Sequence, residues 1–156
     1  MPRIEHARVH ELDREIAALA RENEAVRRIE QLRGIGPLTA SALVAMVGDG
    51  RQFKNGRHLA VALGLTPRQH SSGGKEKLLG ISKRGDKYIR TLLIHGARSA
   101  LRTAPGKTDR LSRWAVALAQ RSHPNVAATA LAHKMARVAW AMLRNGTNYE
   151  PERIAA

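Results

Sequence analysis

The chain contains no cysteine, which excludes disulfides and thiolate metal sites and removes any inference about redox environment. Aromatic residues are nearly as scarce. Phe53, Tyr88, Trp114, Trp140 and Tyr149 are the only five in 156 residues, too few for a platform that stacks successive bases of a single strand. No apolar run approaches the ~18–20 residues of a membrane span, and the charged opening Met1-Pro2-Arg3-Ile4-Glu5 is no signal peptide. A cytoplasmic protein without membrane contact is the expectation. Acidic residues are few where the chain is most basic. Residues 31–149 hold 20 basic side chains against four acidic ones (Asp49, Glu76, Asp86, Asp109), a balance of +16, whereas residues 1–30 hold six basic and seven acidic. A compact segment this cationic repels itself unless it meets a polyanion, and DNA or RNA is the commonest such partner. The four acids are scattered, and His123 and His133 lie ten residues apart, about 15 Å along a continuous helix, so the residues converge on no metal site and no cofactor is expected in this chain.

What is present divides into an N-terminal helix over 1–30, a domain over 31–149 and a loose tail over 150–156. Val9, Leu12, Ile16, Leu19, Asn23 and Val26 recur at spacings of three and four and form one seam, with Val9, Ile16 and Asn23 as a positions. The seam suits either a parallel two-stranded coil, making the protein a homo-oligomer through residues 5–30, or an amphipathic helix folded back on its own core. Leu32-Arg33-Gly34-Ile35-Gly36-Pro37-Leu38-Thr39-Ala40 has the helix-hairpin-helix pattern. There Gly34 and Gly36 would keep side chains away from a phosphate, Ile35 would plug the turn, and the first N–H groups of the following helix would bind the anion. The alternative is a structural αα-hairpin whose glycines serve close packing.

Ser71-Ser72-Gly73-Gly74-Lys75, then Gly80-Ile81-Ser82-Lys83-Arg84-Gly85, place serines, glycines and cations together. Phosphodiester chemistry needs a hydroxyl nucleophile and positive charge for the developing oxyanion; Lys75, Lys77, Lys83 and Arg84 offer the charge. A surface hairpin with a solvated basic rim is the competing reading. The window reads as an irregular loop or small hairpin. Apolar residues Leu59, Ala60 and Leu63 point inward from a short helix at 56–63. Asp86 opens a helix to about Arg102 with Tyr88, Ile89, Leu92, Leu93, Gly96 and Ala100 on one side and Lys87, Arg90, Arg98 and Arg102 in one arc, either a phosphate track or an ordinary solvated face. Helices follow at about 108–121 and 124–144, the second with Met135, Val138 and Trp140 inward. Gly106-Lys107-Thr108 fails as a nucleotide loop because Leu101 stands where the first glycine is required. The fold class expected is mainly α: a helical domain with a helix-hairpin-helix element and a Gly/Ser-rich loop, preceded by a coiled-coil-like arm.

In their order and spacing, the segment at 32–40, Phe53-Lys54, Leu63-Gly64-Leu65-Thr66-Pro67, the Ser-Gly window and Gly80 to Arg90 resemble, over about 60 residues, the C-terminal domain of IS110 (IS116, IS902) insertion-sequence transposases. Where that family commonly has proline before the Gly-Ile-Gly turn, this chain has Arg33. The resemblance implies a recombinase that joins DNA through a serine nucleophile, works with a guide RNA, and uses an N-terminal RNase-H-like domain whose acidic residues hold a divalent metal. Ser72 matches the family's nucleophile, with Ser71 and Ser82 as weaker candidates. Arg68, Ser71, Gly73, Gly74, Lys75, Ser82, Lys83, Arg84, Lys87 and Arg90 join Gly34, Ile35 and Gly36 as nucleic-acid contacts. On this resemblance the chain is expected to lack the acidic domain, and so to bind DNA while showing little or no cleavage. A non-catalytic helix-hairpin-helix module and an assembly subunit held by the N-terminal seam are the alternatives.

Overall fold

The computed structural model describes residues 2–72 and 74–153, with side chains described except at 2, 3, 69–72 and 75–79. Among the described residues, seven helices and one hairpin run in the order α1 (Pro2–Glu22), α2 (Glu24–Ile29), α3 (Pro37–Val47), α4 (Gly56–Ala62), β1 (Pro67–Ser72), β2 (Lys75–Ile81), α5 (Lys87–Thr103), α6 (Arg110–Arg121) and α7 (Pro124–Asn145). The mainly helical expectation holds. Most helix starts are set locally by a side chain that accepts the orphan N–H of the first turn. Asn55 accepts from His58, Asp86 from Ile89 and Asp109 from Ser112. Pro124 occupies the first turn of α7, and Gly146, with φ 63°, ends it in the left-handed conformation.

The core is organised around α7, which packs against α2, α3, α4, α5 and α6. Its alanines let those neighbours approach closely, while Leu131, Met135 and Met142 fill the space between them; Met135 is fully buried. Leu59, Ala60 and Leu63 face inward as expected, all fully buried. Trp140 is half-buried, its indole N–H donating to the Gly50 carbonyl at 3.0 Å. Among the described residues no helix is long and apolar enough to cross a membrane.

Four expectations change. The N-terminal seam does not run along one helix: Asn23 leaves the helical conformation and its Oδ1 accepts from Val26 N at 3.1 Å, ending α1 and capping α2. A residue with strong capping preference breaks the helix where the heptad would have continued it. Val26 therefore enters the core, whereas Val9, Leu12 and Leu19 are exposed. Tyr88 lies on the outer side of α5, 57% exposed. Arg90 turns inward, 8% exposed, and donates to the Leu63 carbonyl at 3.2 Å. Residues 150–153, read as the start of a loose tail, are tied to α6: Arg110 N donates to the Pro151 carbonyl and the Arg110 guanidinium to that of Glu152.

Candidate nucleic-acid interface

The Ser-Gly window forms an antiparallel hairpin in which Ser72 pairs with Lys75, Ser71 with Glu76 and Pro67 with Ile81, with a bulge between Pro67 and Gln69. Gly74, just before Lys75, has φ 77°, a backbone conformation that glycine adopts without strain. Gly73 and the side chains of Ser71, Ser72 and Lys75 lie outside the described residues. Among the elements, the described residues of β1 and β2 contact only each other. The hairpin is held at its root. Ser82 N donates to Thr66 O at 2.8 Å, Lys83 N to Gly64 O at 3.2 Å and Asp86 N to Ala62 O at 3.2 Å. Gly85, with φ 116°, lets the chain pass against the Ala62 carbonyl, where a Cβ would collide; this glycine serves packing. Ser82 Oγ accepts weakly from Arg84 N at 3.4 Å.

Beside this root lies an open groove of about 870 Å³. One wall is the root itself, with Leu65, Pro67, Arg68, Ile81 and Lys83. The other is α7 with one residue of α6: Val126, Ala130, His133, Lys134 and Arg137, joined by Trp114. The Lys134 ammonium sits over the Trp114 ring, 4.7 Å from its centroid, an attraction that fixes the charge at the groove without neutralising it. Close packing supplies a further cation. A Cβ on Gly56 would lie 3.0 Å from Arg137 Cα, so the start of α4 presses on α7 and brings Arg57 to the same cluster.

The cluster's electrostatics follow from that crowding. Burial lowers the His133 pKa from its ordinary 6.5, and the charges on Arg137, Arg57 and Lys134 lower it further. Burial and Arg137 likewise lower Lys134. Among the described residues no carboxylate pairs with Arg57, Arg68, Lys83, Lys134 or Arg137. Cations gathered with an apolar floor and no counter-charge attract an anion that also carries apolar surface.

The expected contact residues are distributed unevenly. Arg68 and Lys83 line the groove, while Arg84 and Lys87 are exposed without lining it. Arg90 is removed from the exposed arc by its burial. Gly34, with φ 87°, is taken up in packing against Gly96 of α5. Ile35 plugs the turn as expected, 4% exposed. Gly36 has open space where a Cβ would stand, and α3 begins there without a side-chain cap. Sequence reasoning misses the helical wall, with Trp114, His133, Lys134, Arg137 and Arg57. Val126, Ala130, His133 and Arg137 recur at spacings of three and four along one stripe of α7, a pattern the sequence does carry.

Residues 26–113, spanning α2, the hairpin, α5 and the start of α6, match the model of the Transposase IS116/IS110/IS902 family. This chain belongs to that family. It is 52% identical over 145 residues to a probable family 20 transposase of Pseudomonas aeruginosa, covering 93% of this chain and 43% of that protein. It is 48% identical over 141 residues to the transposase for insertion sequence element IS1111A of Coxiella burnetii, covering 90% and 39% respectively. With the transposase for IS1328 of Yersinia enterocolitica it shares 41% over 139 residues, 89% of this chain and 42% of that one. This transposase-family chain thus spans less than half the length of these relatives.

Proposed function

We propose that this chain is the nucleic-acid-binding, serine-bearing part of an insertion-sequence transposase that cuts and rejoins DNA. The observation that carries the reading is the unneutralised cationic groove at the root of the hairpin on which Ser72 stands, in a chain of this family. Ser72 attacks a phosphodiester: its Oγ bonds to phosphorus as the bond from phosphorus to the sugar oxygen breaks, its proton passes through a base to the leaving sugar oxygen, and rejoining reverses the exchange, a sugar hydroxyl displacing Ser72 from phosphorus. Cations around the hairpin stabilise the charge that develops on the phosphate. The turn at Gly36, as the start of a helix-hairpin-helix element, adds a phosphate contact through the uncapped amides of α3. Among the described residues no group of three or more His, Asp or Glu could hold a metal ion. The divalent ion, an acidic RNase-H-like domain and a guide RNA belong to the assembly in which this chain works, with a second copy joined through the exposed Val9, Leu12 and Leu19 of α1.

The test supplies the complete transposase, guide RNA and element DNA, and looks for a protein–DNA adduct that survives denaturation. Ser72→Ala should abolish the adduct and leave DNA binding nearly intact. An adduct that persists, or that maps to Ser71 or Ser82, overturns the assignment. By itself the 156-residue chain is expected to bind nucleic acid with an affinity that falls steeply with salt.

A further inference from the structure

The groove differs from a flat basic surface in three ways, and together they narrow its ligand. It has two walls, with cations on both: Arg68 and Lys83 on the hairpin root, Lys134 and Arg137 on α7. Its volume of about 870 Å³ is enough to take a short stretch of one strand. Its lining is also largely apolar between the charges, through Trp114 and Ile81, which suits sugars and bases better than a bare phosphate.

We infer that the groove seats a single nucleic-acid strand, its phosphates between Arg68 and Lys83 on one side and Lys134 and Arg137 on the other, and its sugar and base edges against Trp114. The inference rests on the nucleic-acid reading above and deepens it. One indole is enough here, because the walls supply the affinity through counterion release and the ring supplies a surface that any base can meet. Position gives the groove a purpose. Arg68 and Ser72 stand four residues apart on β1, about 13 Å of strand. A strand held at the root therefore needs only a few nucleotides to reach the hairpin tip. Unpaired DNA and RNA share this chemistry.

The experiment measures binding of the full chain to labelled oligothymidylate, oligouridylate and a mixed-sequence duplex of equal length, by anisotropy over a range of salt. The groove pair Lys134→Gln/Arg137→Gln, which keeps both aliphatic stems, is compared with Lys107→Gln/Arg121→Gln, which removes the same charge from exposed positions outside the groove. The groove pair is expected to weaken single-strand binding about tenfold or more and to lower the salt slope by about 1.4, roughly 0.7 for each phosphate that is no longer neutralised. The outer pair should change it less than about threefold. Whichever oligomer loses more affinity is the strand the groove prefers. Equal losses from both pairs overturn the groove while leaving nucleic-acid binding itself intact; a chain that binds none of the three probes overturns both readings. One measurement needs no charge variant: bound oligothymidylate should protect Trp114 from acrylamide quenching, a signal that Trp114→Phe removes. Absence of protection at saturating oligonucleotide overturns the inference.

Discussion

Gly34 and Gly96 cross backbone against backbone: a Cβ on either would run into the carbonyl of the other. This crossing fastens the turn before α3 to the middle of α5, and it fixes where the first residues of α3 stand.

Gly96→Ala is expected to destabilise the chain by about 2–3 kcal/mol, since neither backbone has a flexible end to yield, and to lower Tm by roughly 5–10 °C. Gly36→Ser is the contrast. Its backbone is extended and its surroundings open, so stability should stay within about 0.5 kcal/mol. Thermal melts of the two variants check both halves; a Gly96→Ala chain that melts like the wild type refutes the crossing. Gly36→Glu should likewise leave the fold intact but weaken DNA binding if phosphate approaches the turn.

Asn23→Val would strengthen a continuous coiled coil. Because Asn23 caps α2, the substitution should instead cost about 1 kcal/mol. Urea titration gives the sign directly, and a gain in stability would show that α1 and α2 can fuse into one helix.

Arg90 is a buried cation whose guanidinium meets the carbonyl ending α4. Arg90→Met strands that carbonyl and should cost about 1–3 kcal/mol, while the affinity of the folded chain for DNA stays unchanged. A selective loss of binding at normal stability would return Arg90 to the interface.

His133 gives stability a pH dependence whose direction is fixed. Its folded pKa lies below the ordinary 6.5 because of burial and then Arg137, Arg57 and Lys134, while Arg68 and Lys83 face it across the groove. Between the two pKa values the unfolded chain binds more protons, so stability rises with pH there. The contribution is whole above pH 6.5 and is lost as the pH falls through the folded value. Melts from pH 7 down to 5 should show that loss, and His133→Gln should flatten it. An unchanged slope in the variant would place the titration elsewhere.

The parts legible in sequence are those that local chemistry decides. Asp86 announces a helix start, His123-Pro124 a break and Asn145-Gly146 a stop, because capping and turn preferences act within a few residues. Asn23 misleads for the same reason in reverse: heptad spacing and capping preference compete at that residue, and periodicity alone does not say which wins. Arg90 shares the surface arc of its helix by angle, but the angle does not reveal that the end of α4 lies over it. The groove is least legible. Lys83 and Lys134 are about fifty residues apart, and only the close crossing of Gly56 on α7 brings Arg57 into the same field.

Among the described residues, the hairpin meets the helical body only through its root. Its outer half therefore adds almost nothing to the cooperative unit that melts, so a calorimeter is blind to what happens there. Substitutions at the tip are free to change the surface there without moving Tm, and a library screened for thermal stability would pass variants of Ser72 whatever else they alter. Conversely, Gly64 and Gly85, which hold the root, couple the two: damage to either changes the melting point and the placement of the hairpin together.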